Sequence, residues 1–168
     1  MTVENGQGLE NADSYVSVEY ADEYFVSRDS SWSELADEEK EKLLVKATDF
    51  VDASFKWRGK KSTQEQALGF PRINCVNDDG FTVAGVPTAL KKAVCESALL
   101  VKSNGNLFQT NQENGAVVSE HIGSISFTYD TAKKQKDTTL YDSINLRLRG
   151  LFVDTSKGQI MSMKVERV

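Results

Sequence analysis

The residues with chemistry to offer are few, and their spacing does not serve it. His121 is the only histidine, so neither a histidine metal cluster nor a full Ser/His/Asp set is easy to build around it. It stands between Glu120 and Ile122 in an alternating stretch and reads as a surface strand residue, available at most for a contact with another chain. "NDDG", Asn77 to Gly80, offers two carboxylates. A calcium loop needs further acids at alternate positions and a closing Glu, whereas Phe81, Val83 and Gly85 follow here. The stretch therefore reads as a turn at Asp79-Gly80. Asp49 and Asp52 lie three apart on a helical pattern, a spacing that could serve acid–base work. They flank the apolar stripe, and pairing with nearby Lys or Arg is the expected role. "GKKST", Gly59 to Thr63, lacks the earlier glycine of a phosphate-cradling loop. Cys75 and Cys95 are the only cysteines and form no CxxC pair, so a disulfide framework or zinc site is not expected. No cofactor is called for, and an enzyme is not the expected reading.

One segment has the composition of a nucleic-acid contact. In "KWRGKK", Lys56, Arg58, Lys60 and Lys61 surround Trp57. A base could stack on the indole while the cations hold phosphates, with the steep salt dependence of counterion release. Alternatively Trp57, two residues after the stripe residue Phe55, closes the core. "KKQK", Lys133 to Lys136, and "RLR", Arg147 to Arg149, add positive charge elsewhere.

The elements that must position these residues are mainly helical. After an extended leader, 1–16, with turn residues Asn5, Gly6 and Gly8, Ser17 is placed to cap a short helix that turns Val18, Ala21, Tyr24 and Phe25 inward. Trp32 anchors the loop behind it. Asp37 is expected to cap a longer helix through Phe55, with Leu43, Leu44, Ala47, Phe50, Val51 and Phe55 as its buried stripe. Acids in its first turns suit the helix dipole. "VPTALKKAVCESALLVKSNG" forms a third helix over 87–104, begun by Pro87 and stopped by Gly105. Its inward face is Leu90, Ala93, Val94, Ala98 and Val101, with Cys95, Glu96, Lys91, Lys92 and Lys102 off the stripe. A hairpin is expected at about 116–130, where Val118, Glu120 and Ile122, then Ile125, Phe127 and Tyr129, alternate with polar residues. "LYDSINLRLRGLF" is a fourth helix with Leu140, Tyr141, Ile144, Leu148 and Leu151 inward. The fold class is thus a mainly α bundle of about four helices with a β-hairpin and an extended C-terminal tail. The expected division is a domain of 1–156 and a tail of 157–168.

Length and charge bound the rest. The chain's 168 residues make one domain, with no apolar run near the ~20 residues of a membrane span. The polar, acidic N-terminus lacks the pattern of a secretory signal, and a reducing cytoplasm suits the two cysteines. Net charge is −5, unevenly spread: residues 1–55 hold 14 acidic and 4 basic groups, residues 56–168 hold 11 and 16. Such asymmetry suits a basic face, two ordinary solvated surfaces, or a molecule whose two ends attract.

The ordered series "ENGQGLENADSYVSVEYADEYF", "LADEEKEKLLVKATDFVDASFKWRGKK", "QALGFPR", "VPTALKKAVCESALL" and "SEHIGSISFTY" resembles the head–tail connector, or adaptor, proteins of tailed bacteriophages. Many of these carry the label of a DnaT-like single-stranded-DNA-binding protein. The likeness runs from about Glu4 to Tyr129. Phe70 stands before Pro71-Arg72 where the family usually shows Trp, and the segment after Asp130 matches little of the family pattern.

The resemblance implies a virion neck protein, made in the host cytoplasm, that performs no reaction. Its subunits would form a ring, commonly a dodecamer, between the portal protein and a tail or tail-completion protein. Double-stranded DNA would pass through the ring without specific binding. Ile160, Met161, Met163 and Val165 alternate in the tail without an evident partner strand, and an unpaired strand invites another chain. With His121 they are the expected subunit or partner contacts. Single-stranded DNA binding through Lys56 to Lys61 is the alternative.

Overall fold

The computed structural model describes residues 1–105 and 139–153, together with the strand segments 119–122 and 125–128. The order is α1 (Val18–Phe25), a 3₁₀ turn (Ser30–Trp32), α2 (Asp37–Ser54), β1 (Lys60–Lys61), β2 (Arg72–Ile73), α3 (Thr88–Asn104), β3 (Ser119–Ile122), β4 (Ile125–Thr128) and α4 (Thr139–Leu148). This is the mainly α architecture, four helices with a hairpin, that the periodicity predicts.

The packing centres on α2 and α3, which lie against each other. α4 covers α3 and α1 touches both. The predicted stripes are the core: Leu43, Leu44, Ala47, Phe50 and Val51 of α2 are buried, as are Leu90, Ala93, Val94, Ala98 and Val101 of α3. Phe55 is only partly covered. From α1, Ala21, Tyr24 and Phe25 go inward, and Trp32 packs on Phe25 with ring centroids 4.8 Å apart. Ile144, Leu148 and Leu151 close the far side. The leader is pinned by a bridge between Val3 and Ser14.

Several local expectations are corrected. Asp37 does not cap α2. Ala36 holds the cap position without a side-chain bond, and Asp37 is the first helical residue. The dipole, rather than a cap, uses its charge, and Lys40 sits 3.6 Å away. Ser17 does cap α1, its hydroxyl accepting from the Tyr20 N–H. Pro87 occupies the position before α3. Cys95 is off the predicted stripe yet fully buried, as is Ser97, because a central helix covered by α2, α1 and α4 buries more than one face. Lys102, also off the stripe, donates to the Ser31 carbonyl at 2.7 Å. α4 ends at Leu148, and Gly150, at φ +89°, turns the chain so that Leu151 still reaches the core.

In the hairpin, Ser119 pairs with Thr128 and Ile122 with Ile125. His121 therefore sits in β3 opposite Ser126. The tail residues Ile160, Met161, Met163 and Val165 lie outside the described residues, as does Lys133 to Lys136. Among the described residues no helix is long and apolar enough to cross a membrane.

Candidate functional site

The long connection after α2 folds against the helices. Lys60 pairs with Ile73 and Lys61 with Arg72 in a short antiparallel ladder, and Val76 bridges Thr82. Leu68, Phe70 and Cys75 are buried beneath it. The 56–58 stretch pairs with the chain that follows α4. The Val153 N–H donates to the Lys56 carbonyl at 2.7 Å, and the Arg58 N–H to the Leu151 carbonyl at 3.0 Å.

This arrangement decides the fate of the nucleic-acid candidates. Trp57 is 8% exposed. Its ring lies 5.5 Å from that of Phe55 and 5.2 Å, edge-on, from that of Phe70. No face remains free for a base, so the core-closing alternative for Trp57 holds. Arg58 pairs with Asp78 at 2.7 Å and donates to the carbonyls of Phe152 and Val76. Lys61 donates to the Gln66 carbonyl at 3.1 Å. Lys56 and Lys60 are exposed. Arg72 spends its guanidinium on three carbonyls, Arg58 at 2.6 Å, Gly69 at 2.9 Å and Gly59 at 2.9 Å. It holds the excursion together where a phosphate-binding Arg would present a free fork.

Beneath the excursion lies a polar hub that the sequence reading missed. Asp52 was expected to pair with a Lys or Arg. Instead its carboxylate accepts from the Tyr15 hydroxyl at 2.7 and 2.9 Å, the Trp57 indole N–H at 3.1 Å and the Gly69 N–H at 2.7 Å. The Tyr15 oxygen in turn accepts from the Phe70 N–H at 2.9 Å. Four chain segments thus meet at one carboxylate. Burial raises the Asp52 carboxyl, while bonds from Gly69, Tyr15 and Trp57 and the charge of Lys61 pull it back. Burial and then the Asp52 charge hold the Tyr15 phenol far above its ordinary value, so it stays protonated. Gly69 is required by close approach: a Cβ there would stand 2.7 Å from the Trp57 indole nitrogen and 2.8 Å from an Asp52 oxygen. Asp49, its supposed companion, points to solvent.

Two further carboxylates are internal fasteners. Glu4 is buried and accepts from the N–H groups of Gly6, Gly8 and Leu9 at 2.8, 3.0 and 2.9 Å, closing the leader into a loop. Glu96 accepts from the Tyr24 hydroxyl at 2.8 Å and pairs with Arg147, joining α1, α3 and α4. Burial, then the bond and charge of Glu96, push Tyr24 up to about 12. Glu96 falls off the α3 stripe, so periodicity gives it no role. The one available signal was that a carboxylate flanked by core residues must find a partner. Each of these groups is saturated by the fold itself. Among the described residues no three His, Cys, Asp or Glu side chains gather as a metal site would need. What the arrangement does chemically is cross-link.

A family model described as "Putative DnaT-like ssDNA binding protein" matches residues 1–168. The chain belongs to this family. No curated protein and no solved structure matches it. In this DnaT-like family member the basic 56–61 segment, the natural place to seek DNA contacts, is built into the fold at Trp57 and Arg58. Lys56, Lys60 and Lys61 are the exposed cations of the segment, Lys61 with one bond to the Gln66 carbonyl.

Proposed function

We propose that the protein is a structural virion component, a head–tail connector that forms a homo-oligomeric ring beneath the portal of a tailed phage and performs no reaction. The ring joins capsid to tail and surrounds the channel through which double-stranded DNA leaves. The ordered series of segments from Glu4 to Tyr129 supports this reading on the sequence side. The carrying observation in the fold is the internal use of Trp57, Arg58 and Arg72. The groups best suited to hold a nucleic acid are spent on packing. Large apolar side chains remain outward on the same excursion, Phe81 71% and Ile73 50% exposed, among exposed charges of both signs. A net charge of −5 suits a channel wall that must let phosphates slide past, and opposes long-range attraction to DNA.

The single-strand-binding reading is favoured by the family's description and by exposed Lys56, Lys60 and Lys61. Two measurements separate them. Native mass spectrometry or negative-stain microscopy should reveal rings, in isolation or on addition of the portal protein. Titration with single-stranded DNA at low salt should give weak binding and leave the Trp57 fluorescence unquenched. Tight, salt-sensitive binding with indole quenching, and no ring with or without portal, would refute the connector. Deleting 157–168, which carries Ile160, Met161, Met163 and Val165, should leave a folded monomer that fails to assemble. Full-size rings from that truncation would remove the tail from the assembly contacts.

A further inference from the structure

Every backbone N–H from Gly6 to Leu9 is turned onto a side chain of the leader. Glu4 Oε1 accepts from Gly6 at 2.8 Å and from Gly8 at 3.0 Å, and Oε2 accepts from Leu9 at 2.9 Å. The Gln7 N–H donates to Asn5 Oδ1 at 3.0 Å. Glu4 is 2% exposed, whereas Asn5 faces water. The closed loop is tied to the rest of the fold. The Glu4 N–H donates to the Ser14 carbonyl at 2.8 Å, and the Leu9 carbonyl accepts from the Ala67 N–H at 3.0 Å. Gly6 packs on the end of the excursion, where a Cβ on it would stand 3.4 Å from the Gly85 Cα.

The pair inside this loop, Asn5-Gly6, is reactive. An asparagine before a glycine loses ammonia readily, because no side chain on the glycine hinders attack by its nitrogen on the carboxamide carbon. A bond forms from Gly6 N to Asn5 Cγ and the Asn5 Cγ–Nδ2 bond breaks. The amide nitrogen leaves as ammonia with the Gly6 proton, and a cyclic imide remains. Water opens the imide at either carbonyl, giving aspartate or isoaspartate. Two features of the fold oppose the first step. The Gly6 nitrogen must shed its proton, and that proton is held by the Glu4 carboxylate, whose negative charge disfavours an amide anion beside it. The Asn5 carboxamide is also confined to the orientation that its bond from Gln7 allows.

We propose that Asn5-Gly6 is a modification site latched by Glu4: the closed leader keeps the asparagine, the opened leader loses the amide, and the isoaspartate product does not relatch. Isoaspartate routes the main chain through its side-chain carbons, so an extra backbone atom displaces Gly6, Gly8 and Leu9 from the carboxylate they share. The new carboxylate also lies next in sequence to buried Glu4, a like charge. The change is one-way. It converts brief local openings of the leader into a lasting loosening of the strap that brings Tyr15 to Asp52.

The experiment incubates the full chain at mildly alkaline pH, folded and in urea, and follows residue 5 by peptide-mapping mass spectrometry with isoaspartyl-methyltransferase labelling. Conversion should be at least about tenfold slower in the folded chain than in urea. E4Q, which removes the charge and one acceptor oxygen, should raise the folded-state rate about tenfold. D13A should raise it less: Asp13 is exposed and holds the base of the leader by accepting from the Thr2 N–H at 2.7 Å. Circular dichroism checks that both variants fold, and D13A carries the comparison if E4Q does not. In the isoaspartate-containing chain, hydrogen exchange should show the Gly8 and Leu9 amides unprotected. A folded natural chain that converts as fast as in urea overturns the proposal. So does a folded E4Q, or D13A in its place, whose rate is unmoved, and so does an isoaspartate-containing chain that keeps Gly8 and Leu9 protected.

Discussion

Replacing Asp52 by Ala tests whether the polar hub is the fastening that holds the excursion to the helices. The substitution strips the acceptor from three donors at once: the Tyr15 hydroxyl, the Trp57 indole N–H and the Gly69 N–H. Each buried donor left without a partner costs about 1–3 kcal/mol. Two effects reduce the sum. Burial already penalises the ionised carboxylate, so its removal returns part of the loss, and Asp52 is only half-buried, so water can reach some of the vacated space. The expected net loss is about 2–5 kcal/mol, a fall in Tm of about 5–15 °C for a chain of this size. Tyr15→Phe removes the hydroxyl that also accepts from the Phe70 N–H, and should cost about 1–3 kcal/mol. Because both variants break one network, the double variant should lose less than the sum, by about 0.5–3 kcal/mol. Urea unfolding at neutral pH, followed by far-UV circular dichroism with a common m-value, gives all three numbers. A loss below about 1 kcal/mol for Asp52→Ala, or full additivity with Tyr15→Phe, would falsify the claim that the hub is one cooperative fastening.

Other perturbations probe separate parts of the same argument. Leu44→Ala, in the fully buried stripe of α2, should cost about 2–5 kcal/mol by urea midpoint, and a near-neutral result would contradict the α2–α3 core. Ser17→Ala should cost about 1 kcal/mol through loss of the α1 cap, whereas Asp37→Ala, which is no cap, should cost less in the same assay. The thiols of Cys75 and Cys95 are fully buried, so a disulfide reagent should modify them only at the rate of unfolding; fast labelling of the native protein would deny the packing. Alkaline stability carries a definite sign. Burial pushes the Cys95 thiol up to about 12 from 9.0, and Tyr24 to about 12 from 10.0. The unfolded chain therefore loses these protons first. Their contribution to stability is full below about pH 9 and drains away as pH climbs towards 12. A urea midpoint that rises over that interval would be the wrong sign.

Periodicity alone determined the helical part of this protein. The apolar residues of α2 and α3 recur at steps of three and four, and burial of one face is enough to fix which side of each helix goes inward. Ser17 before an apolar repeat, and alternation around His121 and Ile125, located α1 and the hairpin for the same local reason. The family likeness was also legible, because it lies in the order of whole segments. Tertiary structure alone decided everything that depends on residues distant in the chain. Asp52 meets Tyr15 and Gly69 only because the leader and the excursion pass over α2, and no helical spacing encodes that meeting. Trp57 reads equally well as a stacking platform or a core residue until Phe70 and Phe152 are placed around it. Cys95 and Glu96 look idle from the α3 stripe, since a stripe describes one neighbour and α3 has three. Partners brought together by chain closure leave no period in the sequence, so the fasteners and the leftover surface at Phe81 came to view only when the chain was closed.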